Sequence, residues 1–141
     1  NGGLLSDTGL NILALDLESA QKVVSFPINI PSYVPKEFKL VHVDVFQINN
    51  QLSHKVSLRY QQGSKSFRVN QEIKQNGTSY SLSMDNEDTK VENIKVNGKD
   101  ASLLDFKNGY IQLEWIDGPI LYSVEGELSK EEAIAVAESM Y

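Results

Sequence analysis

The sequence predicts an α+β fold: a curved antiparallel sheet of about seven to nine strands, ordered as a meander, with a C-terminal helix packed on it and a short N-terminal helix. Three observations favour this class. Turn dipeptides recur roughly every 9 to 14 residues after residue 38, apolar and polar residues alternate between them, and a helix-capping signal precedes the last apolar stripe. The intervals are too short for the crossover helices of a β-α-β protein.

The chain length indicates one domain. With 141 residues, the chain has the size of a single domain with one hydrophobic core. We expect residues 1–15 to be a boundary or linker segment and residues 16–141 to form the single α+β domain. The chain starts at Asn1 without an initiator Met, so we expect a signal peptide, lipid anchor or membrane helix to lie upstream.

The first predicted helix covers about residues 17–24. Asp16 is a suitable N-cap, and Leu17, Ala20 and Val24 share one helical face. The helix should end before Pro27, because proline cannot continue a helix and restricts the residue that precedes it.

The predicted strands follow from alternating apolar residues. The first covers residues 38–48, with Val41, Val43 and Val45 on one face. Later strands are read from the following stripes: Val56, Leu58 and Tyr60; Phe67, Val69 and Ile73; Tyr80, Leu82 and Met84; Ile94 and Val96; Leu103 to Phe106; Ile111, Leu113 and Trp115. Residues 120–124 are apolar on both faces, which is typical of a central strand.

The C-terminal helix begins with a capping box. Ser129 is the N-cap and Glu132 is the N3 residue. Ala133, Val136, Ala137 and Met140 then line one helical face. This face must pack on the sheet or on a partner.

Composition excludes several classes of function. The net charge of −6 argues against nucleic-acid binding, which needs a basic surface. The absence of cysteine removes disulfides, thiolate nucleophiles and cysteine zinc sites, and two histidines are too few for a convincing zinc site. No apolar run is long enough to span a bilayer.

The histidines are the first candidates for catalysis. His42 and Asp44 lie two residues apart on a predicted strand, so both point to one face, where they could orient a general base for a serine. A solvated polar pair on the outer face is the favoured interpretation, since no Gly-x-Ser-x-Gly nucleophile motif accompanies them. His54, beside Ser53 near a polar turn, is expected to be exposed.

Acidic residues form two further candidate groups. Asp85, Glu87, Asp88 and Glu92 cluster in a predicted loop, but they lack the glycine and closing glutamate of a calcium loop, so a solvated turn is favoured. Glu114 and Glu125 could be the paired carboxylates of a glycosidase. The nearby aromatic residues are Tyr110 and Trp115, and Trp115 is expected in the core.

A small basic strip completes the candidates. Lys55, Arg59, Lys65 and Arg68 fall on the outer face of one predicted hairpin. They could meet an anionic partner or lipid headgroups, although hairpin solubility explains them equally well. We therefore assign no catalytic, cofactor-binding or metal-ligating residue and expect no cofactor, while the binding residues stay unassigned.

One proline-rich segment is unusually specific. Pro31 and Pro35 in Pro31-Ser32-Tyr33-Val34-Pro35 stiffen an extended corner before the first long strand. Further distinctive segments are Val96-Asn97-Gly98-Lys99-Asp100-Ala101, Leu113-Glu114-Trp115, Tyr122-Ser123-Val124-Glu125-Gly126, Leu128-Ser129-Lys130-Glu131-Glu132 and Ala137-Glu138-Ser139-Met140.

In this order the segments resemble the bacterial "domain of unknown function 4367" family over about residues 20–141. The resemblance implies the extracytoplasmic part of a Gram-positive lipoprotein or of a membrane-anchored anti-sigma-factor-like protein, including sporulation-related ones. The matching motifs are structural, so the resemblance implies no catalytic residues.

The expected function is a non-enzymatic extracytoplasmic sensing or binding module of a membrane-tethered regulatory protein or lipoprotein. It would bind a protein partner or an apolar ligand in the envelope, without nucleic acid, and reach the membrane through a segment outside this chain. The alternative is a carrier of lipids or other apolar ligands on the concave face of the sheet. A hydrolase using His42 and Asp44 is the third hypothesis.

Overall fold

The computed structural model describes residues 10–73 and 90–140 and confirms the predicted α+β class. Eight antiparallel strands form one curved, open sheet. The strands are β1 (Leu10–Leu15), β2 (Lys39–Ile48), β3 (Lys55–Gln62), β4 (Lys65–Ile73), β5 (Lys90–Val96), β6 (Lys99–Asp105), β7 (Ile111–Asp117) and β8 (Ile120–Gly126), and the helices are α1 (Leu17–Val23) and α2 (Lys130–Glu138). The strand predicted around Tyr80, Leu82 and Met84 lies outside the described residues.

The strand order departs from the predicted meander at one point. The order is β1-β2-β3-β4-β8-β7-β6-β5, so two four-stranded meanders are joined by antiparallel pairing of β4 with β8. The central position of β8 agrees with its apolar residues on both faces. It lies between β4 and β7, and Val69 is directly opposite Val124. Because antiparallel partners can be distant in sequence, turn spacing alone does not reveal this pairing.

The N-terminal edge of the sheet contains residues that the sequence analysis assigned to a boundary segment. Leu10–Leu15 pair with β2 over the full length of β1. Leu13 and Leu15 are two residues apart, share a face of the strand, and pack against the hydrophobic core. This apolar anchoring places residues 10–15 in the sheet.

A β-bulge in β2 changes the predicted face of Val41. Leu40 is opposite Tyr60 and His42 is opposite Arg59, so Val41 is the extra residue between them. The bulge shifts the alternation by one residue. Val43 and Val45 are buried as predicted, whereas Val41 is exposed.

Both helices begin where the capping residues predict. The Asp16 carboxylate accepts a hydrogen bond from the Ser19 backbone N–H at 2.7 Å and caps α1. At α2, the Ser129 hydroxyl accepts from the Glu132 N–H at 3.0 Å, and the Glu132 carboxylate accepts from the Ser129 N–H at 2.9 Å. This reciprocal pair confirms the capping box.

The hydrophobic core lies between the helices and one face of the sheet. The predicted face of α2 is fully buried there, and Trp115 stacks on Tyr122 with ring centroids 5.4 Å apart. Buried Gln71 joins β4 to Asn29, two residues before the proline-rich segment, since its side-chain amide bonds both the N–H and the C=O of Asn29 at 2.8 and 2.7 Å. Both polar atoms of the Gln71 amide are therefore hydrogen-bonded, so the side chain can be buried without leaving a polar group unsatisfied.

Candidate functional site

The two faces of the sheet carry different chemistry. One face packs on α1 and α2 and contributes the core. On the other face, which we call the helix-free face, alternation places the polar residues of the central strands. The register fixes one row across seven strands of this face: Asp44, Ser57, Asn70, Ser123, Glu114, Ser102 and Asn93.

The middle of this row lines a cavity of about 390 Å³, which we call the polar trough. Ser57, Asn70, Ser123 and Glu114 form its central row, in register on β3, β4, β8 and β7. Ser57 and Ser123 are both buried, with exposed fractions of 2% and 7%. The trough therefore has hydroxyl, amide and carboxylate groups in positions that rigid strands determine.

Residues of the neighbouring rows complete the lining on each side of the central row. Arg68, Gln112 and Glu125 lie on one side, in register across β4, β8 and β7. The opposite side is formed by Phe46, Lys55, Glu72 and Leu121. The trough thus combines acidic and basic side chains with two apolar ones.

Hydrogen bonds orient the trough side chains toward one another. Asn70 Nδ2 donates to Ser123 Oγ at 3.0 Å, and Gln112 Nε2 donates to Glu114 Oε2 at 2.7 Å. Arg68 Nη1 donates to Ser57 Oγ at 3.3 Å. The bonds of Asn70 and Arg68 join neighbouring strands, and the Gln112–Glu114 bond lies within β7. All three reduce the side-chain freedom that a ligand would otherwise have to remove on binding.

Arg68 is also held by Asp44. Its Nη1 lies 3.7 Å from Asp44 Oδ2, and the two side chains are 39% and 23% exposed. At this length and exposure the pair contributes little stability, so its main effect is to position the guanidinium. Arg59 lies directly opposite Arg68, and its buried Nε has no hydrogen-bond partner within residues 10–73 and 90–140.

A second cavity of about 280 Å³ shares Arg68 and Glu125 with the polar trough. Tyr110, which is 38% exposed, also lines it. Burial raises the pKa of the Tyr110 hydroxyl, and the neighbouring Glu125 carboxylate raises it further. The phenol therefore stays a neutral donor and acceptor at physiological pH, and it extends the polar lining beyond the trough.

His42 and Asp44 lie on the helix-free face, as the favoured interpretation predicted. His42 is exposed, and the structure shows no hydrogen bond from its ring to any residue of the two described ranges. Asp44 pairs with Arg68 rather than with His42. The structure therefore does not assemble the His–Asp–serine arrangement around His42.

His54 is exposed, as predicted, but it has a partner that the sequence analysis missed. Its Nδ1 lies 2.8 Å from the hydroxyl of Ser25, which follows α1. Backbone bonds join the same two segments, from the Ser25 N–H to the Ser53 C=O and from the Ser53 N–H to the Val23 C=O. The contact thus fastens the end of α1 to the β2–β3 connection.

Only one residue of the predicted acidic cluster, Glu92, lies in the described part of the chain. Asp85, Glu87 and Asp88 lie outside it, whereas Glu92 on β5 pairs with Lys130 of α2 at 2.9 Å. Across the residues that the structure does describe, no group of three or more histidines and acids could hold a metal ion.

Glu114 and Glu125 do share the helix-free face and line the same trough. Trp115 points to the opposite face, where it is buried in the core as predicted. In the glycosidase hypothesis it would have been a platform for a sugar, and its burial removes it from that role.

Three residues of the basic strip share the helix-free face, and two of them have acidic partners nearby. Lys55 is opposite Glu72, and Arg68 pairs with Asp44. Lys65 begins β4, where alternation directs it away from the other three. The strip is therefore largely neutralised rather than a continuous basic surface.

The polar trough itself was not predicted. A signal was present, because Ser57, Asn70, Glu114 and Ser123 each lie between two residues of their own strand that are buried or packed against the core. They align only through the β4–β8 pairing, which brings distant parts of the chain together.

Comparisons with known proteins give one match. The family model described as domain of unknown function (DUF4367) matches residues 29–140, which is more than half of the chain. No curated protein and no solved structure matches. No helix within the described ranges is long and apolar enough to cross a membrane.

Proposed function

Because the chain belongs to the family described as domain of unknown function DUF4367, we propose that it is a non-enzymatic extracytoplasmic sensing or binding module. In this proposal it forms part of a membrane-tethered regulatory protein or lipoprotein at the surface of a Gram-positive bacterium. Its partner is a protein, and the polar trough is the surface that recognises it.

One observation carries the proposal: the central row of the polar trough. Ser57 and Ser123 are buried and hydrogen-bonded, and Asn70 and Glu114 lie in register with them. A face that only needs to be solvated has no requirement for buried hydroxyls joined across strands. Recognition of a polar partner uses hydrogen-bond donors and acceptors that rigid strands hold in fixed positions.

The charges of the trough support a polypeptide as that partner. Lys55 and Arg68 provide positive charge, and Glu72, Glu114 and Glu125 provide negative charge, all within one cavity. A segment of mixed charge can satisfy both signs, and its backbone amides can bond Asn70 and Gln112. Phe46 and Leu121 offer contacts for an apolar side chain in the same cavity.

The carrier alternative finds less support. A carrier would need an apolar space between α2 and the sheet, and that region is occupied by Trp115, Val136 and Met140, each at most 4% exposed. Phe106 lies elsewhere, with its ring 5.7 Å from that of Tyr110. The cavity on the other face has a polar central row, which does not suit an acyl chain.

Site-specific photo-crosslinking in the native bacterium tests the proposal. The full-length protein would carry p-benzoylphenylalanine in place of Gln112, which lines the trough, or of Lys36, which is exposed outside it. We expect position 112 to give a discrete protein crosslink that is lost with Arg68→Glu, and position 36 to lack it. Identical crosslinks from both positions would contradict the assignment of the trough.

Protease treatment of intact cells tests the compartment. We expect externally added protease to digest this domain while a cytoplasmic marker protein remains intact. Protection of the domain until the cells are lysed would contradict the extracytoplasmic location.

A further inference from the structure

Strand β1 forms one edge of the sheet. In the described part of the chain it pairs with β2 alone, from Leu10 opposite Ile48 to Leu15 opposite Val43. No strand within residues 10–73 and 90–140 covers the other side of β1, so there its backbone N–H and C=O groups are available to a further strand.

The two edges of the sheet differ in charge. The β5 edge carries Lys90, Glu92 and Lys95, with Lys95 paired to Asp100 on the neighbouring strand. Charged side chains on an edge are a recognised protection against pairing with another chain. The β1 sequence, Leu-Asn-Ile-Leu-Ala-Leu, contains no charge at all. This edge lacks the protection that the opposite edge has.

Exposed apolar side chains adjoin the uncharged edge. Ile12 is 53% exposed and lies opposite Phe46 on the helix-free face, and Ile48 on the same face of β2 is also 53% exposed. Ile48 also borders a cavity of about 370 Å³. Its apolar lining residues are Phe46, Ile48, Leu52 and Ile73, and its polar ones are Gln51, Ser53, His54, Lys55 and Glu72. A strand added to β1 would cover Ile12 and extend this surface.

We propose that β1 pairs antiparallel with β1 of a second copy of this chain, about a two-fold axis at Ile12. Residues opposite each other in a sheet must face the same side, so Ile12 meets Ile12 of the second copy. The resulting row on the helix-free face is Phe46, Ile12, and then the same two residues of the second copy in reverse order. Two sheets of eight strands thereby become one continuous sheet.

A second copy suits this edge because β1 is self-complementary. An uncharged strand meets its own copy without like-charge repulsion, despite the net charge of −6 on each chain. The two-fold arrangement also closes, because both copies contribute the same β1 edge and the β5 edge at the other end of the described sheet is charged, so no filament forms. In this register five residues of each β1, Leu10 to Ala14, pair with the second copy. This is a small interface, so we expect association that depends on concentration.

Cysteine cross-linking of the whole chain tests the pairing, because the chain has no cysteine of its own. We would compare Ile12→Cys with Val91→Cys, an apolar residue on the β5 edge that is 46% exposed. Directly opposite residues of antiparallel strands bring Cα atoms within disulfide range. We expect Ile12→Cys to form a covalent dimer on mild oxidation at least about tenfold faster than Val91→Cys.

Sedimentation velocity provides the second measurement. We expect the unmodified chain and Val91→Lys to form a dimer as concentration rises, and Ile12→Lys to remain a monomer with an unchanged circular dichroism spectrum. Equal cross-linking of both cysteine variants would overturn the proposal. An unmodified chain that stays monomeric up to millimolar concentration would also overturn it. This holds even if β1 were found to crosslink to a different protein.

Discussion

Gly126 shows how a single residue allows the central pairing of the sheet. It lies at the end of β8, opposite Phe67 on β4 and Ile111 on β7, with φ of 150°. A Cβ atom at this position would lie 2.4 Å from Phe67 Cα, closer than van der Waals contact permits. Phe67 cannot yield easily, since its ring stacks on Tyr60 and meets Phe38 edge-on. Position 126 thus requires glycine because the backbone of Phe67, which is distant in sequence, lies too close for a side chain.

We predict that Gly126→Ala costs about 3 kcal/mol or more of unfolding free energy, because both overpacking and an unfavourable φ contribute. Urea denaturation measures the loss. The control is Gly109→Ala, where φ is also positive at 88° but the space is open. This control should cost only about 1 kcal/mol. Equal losses for the two variants would show that the contact with Phe67 is not responsible.

At the scale of the element, caps and turns were predictable because their signals are local. Asp16 and the Ser129–Glu132 box lie within four residues of the groups that they bond. The bulge at Val41 and the strand β1 were missed, since each depends on a partner strand. Val41 continues an unbroken alternation of valines, and only the register with β3 shows that it is an extra residue.

The cap of α1 makes a prediction about pH. The hydrogen bond from the Ser19 N–H lowers the pKa of Asp16 below its ordinary value of 3.8. The carboxylate therefore contributes its full stabilisation above pH 3.8, and this contribution is lost as the pH falls through the lower, folded-state pKa. We expect the melting temperature of the unmodified chain to exceed that of Asp16→Ala at pH 5–7, with the difference shrinking below pH 4.

Asp16→Asn is the matched control for this pH dependence, because asparagine also caps helices but does not titrate. Its advantage over Asp16→Ala should not change across the same pH range. A difference between the unmodified chain and Asp16→Ala that stays constant from pH 7 to pH 2 would contradict the assigned cause.

For the whole molecule, the pairing of β4 with β8 determines both the core and the candidate site. The pairing aligns Ser57 and Asn70 of one meander with Ser123 and Glu114 of the other. Alternation and turn residues predicted the fold class and the position of most strands, but no local pattern indicates which distant strands become neighbours. The individual polar residues could therefore be read from the sequence, whereas the trough that they form could not.

This architecture predicts that the two meanders unfold together. Val124→Ala removes buried methyl groups from β8, where Val124 faces Val69 and is fully buried, and should cost roughly 1–3 kcal/mol. We expect hydrogen–deuterium exchange to show an equal loss of protection in β3 and β7. Val91→Ala, at the exposed β5 edge, should change neither. Loss of protection in β7 with β3 unaffected would mean that the meanders are separate cooperative units.

The position of β8 also sets when the sheet can be completed during synthesis. Strand β4 pairs with residues that lie roughly 50 positions later in the chain, so its side of the first meander waits for its partner until Ile120–Gly126 have been made. Contacts over such separations are formed late, because a long loop must close before they contribute. The strands are therefore synthesised in an order that differs from their order in the sheet. The sheet cannot be completed until β8, the last strand, has been synthesised.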